Sequence, residues 1–262
     1  MARPRTTFTV QRTEWLTQHL IRVYLGGPGF SAFQPSEFTD SYVKFIFPRD
    51  GIDVLRTYTV RSVDTEAGEL AADFVFHGTE GIAGPWAAAA KPGDTIDAFG
   101  PGGAYSPRAD ADWHLLAGDE SALPAIAAAL EAMPEGAVGQ VYLEVAGPDD
   151  ELPLRNPAGL EVTWLHRGTQ APGELLAETV RAAPWSEGNV QVFVHGEANA
   201  VMHGIRRYIR KERGISAQWA NSISGYWRRG RTEEGFREWK SELAARETTQ
   251  SGAEQAAASA GS

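Results

Sequence analysis

The sequence predicts a two-domain protein: a six-stranded antiparallel β-barrel followed by an α/β domain built on a parallel sheet. Three observations lead there. The first hundred residues hold six short segments rich in Val, Ile, Phe, Tyr and Thr, each bounded by Gly, Pro or Asp, which is the pattern of a small antiparallel barrel. After the turn-rich stretch "FGPGGAYSPRADADW" the rhythm becomes strand, helix, strand, which points to a parallel sheet wrapped by helices. The length, 262 residues, suits two medium domains.

In chain order, the barrel strands are expected in "FTVQRTEW", "HLIRVYLGG", "YVKFIFP", "VLRTYTVRSV", "ELAADFVFHG" and "DTIDAFGP". The alanine run 87–90 interrupts them and predicts a short helix stopped by Lys91, Pro92 and Gly93. The boundary falls between Gly100 and Asp112, giving a barrel domain over 1–105 and an α/β domain over 106–247. In the second part, strands are expected in "WHLLAG", "GQVYLEVAG", "LEVTWLHRG" and "NVQVFVHG", and helices in "DESALPAIAAALEAM", "PGELLAETVRAA" and "EANAVMHGIRRYIRKERG". A last strand is expected in "ISAQWANSISGYWRRGR" and a last helix in "TEEGFREWKSELAARE". Residues 248–262 have no periodicity and no large apolar side chain, so they are expected to form a disordered tail.

Composition removes several classes of function. With no cysteine there is no disulfide, no thiolate metal site and no iron–sulfur cluster held in the usual way. Redox chemistry would need a bound organic cofactor. The 24 Lys and Arg against 34 Asp and Glu leave a net charge of −10, which argues against nucleic-acid binding by phosphate neutralisation. No apolar run approaches the roughly 20 residues of a membrane span, and the basic start lacks a hydrophobic stretch behind it, so a cytoplasmic protein with no membrane partner is expected. The six histidines lack paired spacing, and no metal site is expected.

The stretch "RTYTVR" stands out from an ordinary barrel strand. On a strand, Arg56, Tyr58 and Val60 share one face and Thr57, Thr59 and Arg61 the other. An arginine and a tyrosine on one face can grip a molecule lying along the strand. The guanidinium forks onto a phosphate, and the phenol ring stacks on a flat heterocycle. The hydroxyl and backbone N–H of Thr59 can reach a ring nitrogen. By itself an Arg-x-Tyr is more often an exposed cross-strand pair, and the accompanying blocks decide the matter.

Those blocks are "RTYTVR", "DFVFHGTEGIAGPWAAAAKPGD", "LLAGDESALPAI" and "SGYWRRGRTEE". With them the sequence, from about Arg5 to Lys240, resembles the ferredoxin–NADP reductase superfamily and, within it, the siderophore-interacting branch of ferric-siderophore reductases. The resemblance implies FAD against the barrel, with Arg56 toward the pyrophosphate, Tyr58 stacked on the isoalloxazine and Thr59 near its N5. Thr57, Phe76 and Trp86 belong to the same two cofactor-binding blocks. His77 and Gly78 are expected to end a strand and to serve through backbone groups. Ala83 and Gly84 fall where the family usually has Ala-Ser on the pyrophosphate, so Gly84 is a departure. Backbone N–H groups at a helix start can still hold an anion there, although Pro85 removes one of them.

No GxGxxG follows a strand. Instead Gly118 is expected to end a strand, Asp119 to Ser121 to turn, and Ser121 to cap the next helix. "FVHGEANAV" repeats the design, with Gly196 closing a strand and Glu197 opening a helix. The resemblance implies that Gly118, Asp119, Ser121, Gly196, Glu197 and Ala198 border a nicotinamide site, with Tyr226, Trp227 and Arg228 nearby. It also implies a basic group for substrate at Lys44 and a second at Lys240, while Asp119 and Glu120 would repel an anionic substrate. The expected function is FAD-dependent reduction of a ferric siderophore with electrons from NADH or NADPH, or from a reduced protein carrier. The flavin carries the chemistry, no side chain is assigned as catalytic, and a monomer is expected. The rival readings are a general flavin or quinone-type reductase of the same architecture and a siderophore carrier that does not reduce its cargo.

Overall fold

The computed structural model describes residues 5–231, 235, 236 and 239, in two compact units, 1–226 and 227–262. Six strands open the first unit: β1 (Arg5–Thr17), β2 (Leu20–Gly26), β3 (Tyr42–Arg49), β4 (Ile52–Asp64), β5 (Glu69–Val75) and β6 (Thr95–Gly102). They close into a barrel in the order β1-β2-β5-β4-β3-β6, with every ladder antiparallel. Alternation drives the closure. Phe8, Val10, Val23, Leu25, Val43, Phe45, Phe47, Leu70, Ala72, Phe74, Ile96 and Ala98 all turn inward and are buried, and each large side chain contributes about 2–3 kcal/mol of burial. Closure also removes the exposed edges that would otherwise invite pairing with other chains.

The β4–β5 ladder is the shorter of the two that β4 makes. β4 pairs with β3 from Ile52 to Thr59, but it meets β5 only from Val60 to Asp64, with a bulge between Val60 and Ser62. The bulge bends the strand, and the β4–β5 register runs from Val60 to Asp64, just after the "RTYT" stretch. β5 itself stops at Val75, two residues before the expected His77. The Phe76 N–H turns off to the carbonyl of His19, and His77 and Gly78 lie in an exposed turn. The short helix α1 (Ala83–Ala89) starts before the alanine run, because Pro85 in its first turn needs no N–H there. It ends ahead of Lys91, as expected.

The second half of this unit is a five-stranded sheet in the order β11-β10-β7-β8-β9. Its strands are β7 (Trp113–Asp119), β8 (Val138–Val145), β9 (Gly159–His166), β10 (Val190–Glu197) and β11 (Ser222–Trp227). The β10–β7, β7–β8 and β8–β9 ladders are parallel. Every residue of β7 and β10 is buried, as befits strands covered on both faces. The helices α2 (Leu123–Ala132) and α3 (Glu174–Ala182) cover it. Strand order reverses between β7 and β10, so the crevice of this sheet opens beyond their carboxyl ends.

Two elements differ from expectation. The helix after β10 is wound wide, as π-helix over Asn199–Ile205 and Tyr208–Glu212, with an i→i+5 bond from the Arg213 N–H to the Tyr208 carbonyl. The last strand is only six residues long, because 216–220 form a turn closed by the Trp219 and Ala220 N–H groups on the Ser216 carbonyl. No helix among the described residues is long and apolar enough to cross a membrane. In the second unit Gly235, Phe236 and Trp239 are helical; the rest of the expected C-terminal helix, Lys240 and the tail 248–262 lie outside the described residues.

Candidate functional site

Register fixes which way the "RTYT" side chains point. Arg56 lies opposite Phe45 and Tyr58 opposite Val43, and residues directly opposite in an antiparallel pair share a face. Phe45 and Val43 are fully buried inside the barrel, so Arg56 and Tyr58 share the inner face, while Thr57 and Thr59 face outward with Lys44 and Tyr42. Arg56 and Tyr58 are half-buried. The Tyr58 ring packs on Phe74 of β5, with centroids 4.2 Å apart. Beyond it, Phe74, Trp86 and Phe47 continue a row of rings spaced 5.6 and 5.7 Å apart. The Arg56 guanidinium touches the Leu55 carbonyl at 2.9 Å.

Helix α1 packs against β2 and β5. Its Trp86 bears on the ring row, and Ala83 and Ala87 are buried in the barrel core. The departure at Gly84 has a local cause. A Cβ there would stand 2.9 Å from the Val75 carbonyl oxygen and 3.6 Å from the Phe76 Cα, so the helix start docks on the end of β5 at a distance only glycine permits. Phe76 is further held by an edge contact to Trp15, 5.1 Å between centroids. His77 is exposed and lies off the ring row. The chemistry on β4 fits a flavin dinucleotide: a cation and an aromatic ring on one face, with the Thr59 hydroxyl on the opposite face of the strand.

Lys44 is half-buried on β3 and stands opposite Thr57. It therefore neighbours the Arg56 strand, as expected, but on the outer face of the wall, away from Arg56 and Tyr58.

At the carboxyl edge of the parallel sheet the expected residues do gather, held by contacts among themselves. Both strands run one residue further than expected, to Asp119 and Glu197. Ser121 does not cap α2: the cap position is Ala122, with no side-chain bond. Instead the Ser121 hydroxyl and N–H both donate to Asp119 Oδ1, at 2.5 and 3.0 Å. Asp119 Oδ2 accepts the Glu197 N–H at 2.9 Å, so one buried carboxylate ties the ends of β7 and β10 together. Gly196 is required by that tie, because its φ is 147° and a Cβ would sit 2.7 Å from Asp119 Oδ2. Gly118 is covered by Ala122 and Ile126, and Ala198 is fully buried.

Tyr226 of β11 completes the group. Its ring lies 4.4 Å from that of His195, whose Nε2 meets the Ser222 hydroxyl at 2.9 Å. Burial first, then the charges of Asp40 and Asp119 and the nearby Tyr42 phenol, push the Tyr226 pKa up and keep its hydroxyl protonated. Tyr42 is the β3 partner of Thr59. The barrel face beside Thr59 and the carboxyl edge of the sheet thus meet around Tyr42 and Tyr226. Trp227 and Arg228 open the second unit, where the Arg228 guanidinium lies 4.1 Å over the Trp239 ring.

Sequence reasoning missed Asp40, Tyr42 and Glu144. Asp40 Oδ1 accepts the Ala104 and Tyr105 N–H groups, both at 2.8 Å, and so fixes the loop ahead of Tyr42. Glu144 is fully buried on β8 opposite Asp119 and accepts the Gly173 and Leu176 N–H groups at 2.7 and 2.9 Å. A glutamate inside "VYLEVAG", an otherwise apolar central strand, was the available signal. Glu120 was read as repelling an anion; it is nearly buried and paired with Arg167 at 2.5 Å. Burial and then Asp119 outweigh that partner and raise its pKa to about 6.

Comparison with known proteins agrees with this architecture. Residues 111–230 match the siderophore-interacting protein family, and 9–55 with 49–105 match the siderophore-interacting FAD-binding domain. The chain belongs to the siderophore-interacting protein family. An uncharacterized protein of Mycobacterium tuberculosis is 53% identical over 92% of this chain and 96% of its own length. The ferric vibriobactin reductase ViuB of Vibrio cholerae is 34% identical over 87% of this chain and 90% of its own. Among solved structures, a siderophore utilization protein from T. fusca superposes with a TM-score of 0.79 at 37% identity, covering 87% of this chain and 94% of that one. The order of barrel and parallel sheet is that of the ferredoxin reductases.

Proposed function

We propose that this member of the family is an FAD-dependent reductase of ferric siderophores, working in the cytoplasm with a barrel domain over 1–105 and an α/β domain over 106–247. One observation carries the reading: Arg56 and Tyr58 share a face of β4, with the Tyr58 ring at the head of the aromatic row formed by Phe74, Trp86 and Phe47. Arg56 would hold the diphosphate of FAD, Tyr58 and Trp86 would bear on its flat ring, Thr57 and Thr59 would contact it from the strand, and Phe76, His77, Gly78, Ala83 and Gly84 would border it. FAD, when bound, supplies a carrier that accepts electrons in pairs from NADH or NADPH and gives them up singly to iron. Tyr226 and the edge formed by Gly118, Asp119, Ser121, Gly196, Glu197 and Ala198 are the residues we assign to the nicotinamide end, with Trp227 and Arg228.

Ferric siderophores are bulky and often anionic, and in this acidic chain Lys44 is our candidate for the charge that receives one. Lys240 is the second. Once reduced, iron is held weakly by hard oxygen ligands and leaves, so the protein needs no metal ligands of its own. The name of ViuB supports this choice of substrate over free flavins or quinones. The test is to follow Fe(II) with a chromogenic chelator under anaerobic conditions, comparing ferric siderophores with free flavin and quinone acceptors. Preference for the siderophores is expected; preference for the artificial acceptors rejects the assignment.

A further inference from the structure

In a parallel sheet of this kind, a dinucleotide normally places its phosphates beyond the carboxyl ends of the strands, on the free N–H groups of the following helices. Here several N–H groups at those positions are engaged from within. The turn leading into α2 gives its Ser121 N–H to Asp119, and Pro124, near the start of α2, has no N–H to offer. The Gly173 and Leu176 N–H groups at the start of α3 go to Glu144. After β10, the Asn199 and Ala200 N–H groups go to Glu197 Oε2 at 2.6 and 3.0 Å, and the Glu197 N–H goes to Asp119.

The three carboxylates form one row. Asp119 and Glu144 are directly opposite on β7 and β8, and Glu197 is bonded to Asp119 from β10. All are at least 95% buried, with relative exposures of 1, 0 and 5%. Arg167, whose charge reaches Glu144, is already engaged by Glu120. A diphosphate arriving here would have to displace internal acceptors and sit against buried acids, where like charges repel more strongly than in water.

We propose that Asp119, Glu144 and Glu197 are built-in occupants of the phosphate positions, and that this chain does not anchor a dinucleotide donor by its phosphates at the sheet edge. A nicotinamide donor then engages through its ring end, beside Tyr226, and discrimination between NADH and NADPH by a 2′-phosphate at this edge is lost. The inference rests on the reductase reading only for its relevance, because the test involves no electron transfer.

The FAD-loaded full chain is titrated with ADP-ribose and with 2′,5′-ADP, the phosphate-bearing parts of the two donors without nicotinamide, by ligand-observed NMR. Dissociation constants weaker than about 1 mM are expected for both, and a tighter constant for either overturns the proposal. Glu197→Ala frees two N–H donors and removes one charge. It is expected to tighten ADP-ribose binding by about tenfold, and a folded variant that binds no better than wild type rejects Glu197 as the occupant. Flavin content and ferric reduction are measured on the wild-type chain, where neither result bears on them, so the two readings fall separately.

Discussion

At the scale of single residues, two side chains bear most of the weight. Arg56→Ala removes a charge-assisted phosphate contact and Tyr58→Ala a stacking surface, each typically worth about 1 kcal/mol or more. Each substitution should therefore weaken FAD binding by about fivefold or more, measured by fluorescence titration of the apoprotein; unchanged affinity in both would remove β4 from the site. Glu120 gives a prediction in pH. Its folded pKa of about 6 lies above the unfolded carboxylate value near 4.3, so the fold favours the protonated form. Its contribution to stability is complete below about pH 4.3 and is lost as pH rises through about 6. Glu120→Gln should match wild type in denaturant unfolding near pH 4.5 and exceed it by about 2 kcal/mol near pH 8, and a difference independent of pH would contradict this. The Arg-x-Tyr pair was legible because alternation along a strand is a local rule. The bond of Ser121 to Asp119 was not, since a serine before a helix reads as a cap until a buried acid two residues earlier is seen to claim it.

Elements were legible where one period ran uninterrupted. The six barrel strands and the buried runs of β7 and β10 follow from alternation and from continuous apolar stretches, whereas no pattern in "VLRTYTVRSV" announces the bulge between Val60 and Ser62. The start of α1 was also hidden, because its first turn, "AGP", carries two residues that usually break helices. Its docking explains them, and it predicts the outcome of restoring the family's serine. Gly84→Ser should force α1 off the Val75 carbonyl, lowering thermal stability by about 1–3 kcal/mol without improving FAD affinity. Tighter FAD binding with unchanged melting would show that the helix start tolerates a side chain after all. At the sheet edge, Gly196→Ala combines an unfavourable φ with a clash on Asp119 and should cost about 2–4 kcal/mol in chemical denaturation; a loss within about 0.5 kcal/mol would mean that the β7–β10 tie is not rigid.

For the whole molecule, the order of barrel and parallel sheet brings the barrel face at Thr59 and Tyr42 toward the sheet edge at Tyr226, a junction where the proposed reductase would bring its two ligands together. The order of the domains could be read from the change of rhythm near residue 105. The junction could not, because it joins Asp40, Tyr42 and Tyr226 across more than 180 residues of chain and depends on how the two halves pack. Lys44 belongs to this scale, as a cation on a molecule of net charge −10: Lys44→Ala should raise the KM for ferric siderophore about threefold or more while leaving FAD in place, and an unchanged KM would remove Lys44 from the substrate path. All of this presupposes a flavin on β4, and the most direct measurement is a titration of the flavin-free protein with FAD, read as quenching of flavin fluorescence. Saturable, one-to-one quenching that weakens in Tyr58→Ala is the predicted result; no quenching, or quenching that Tyr58→Ala and Arg56→Ala leave unchanged, would contradict the account.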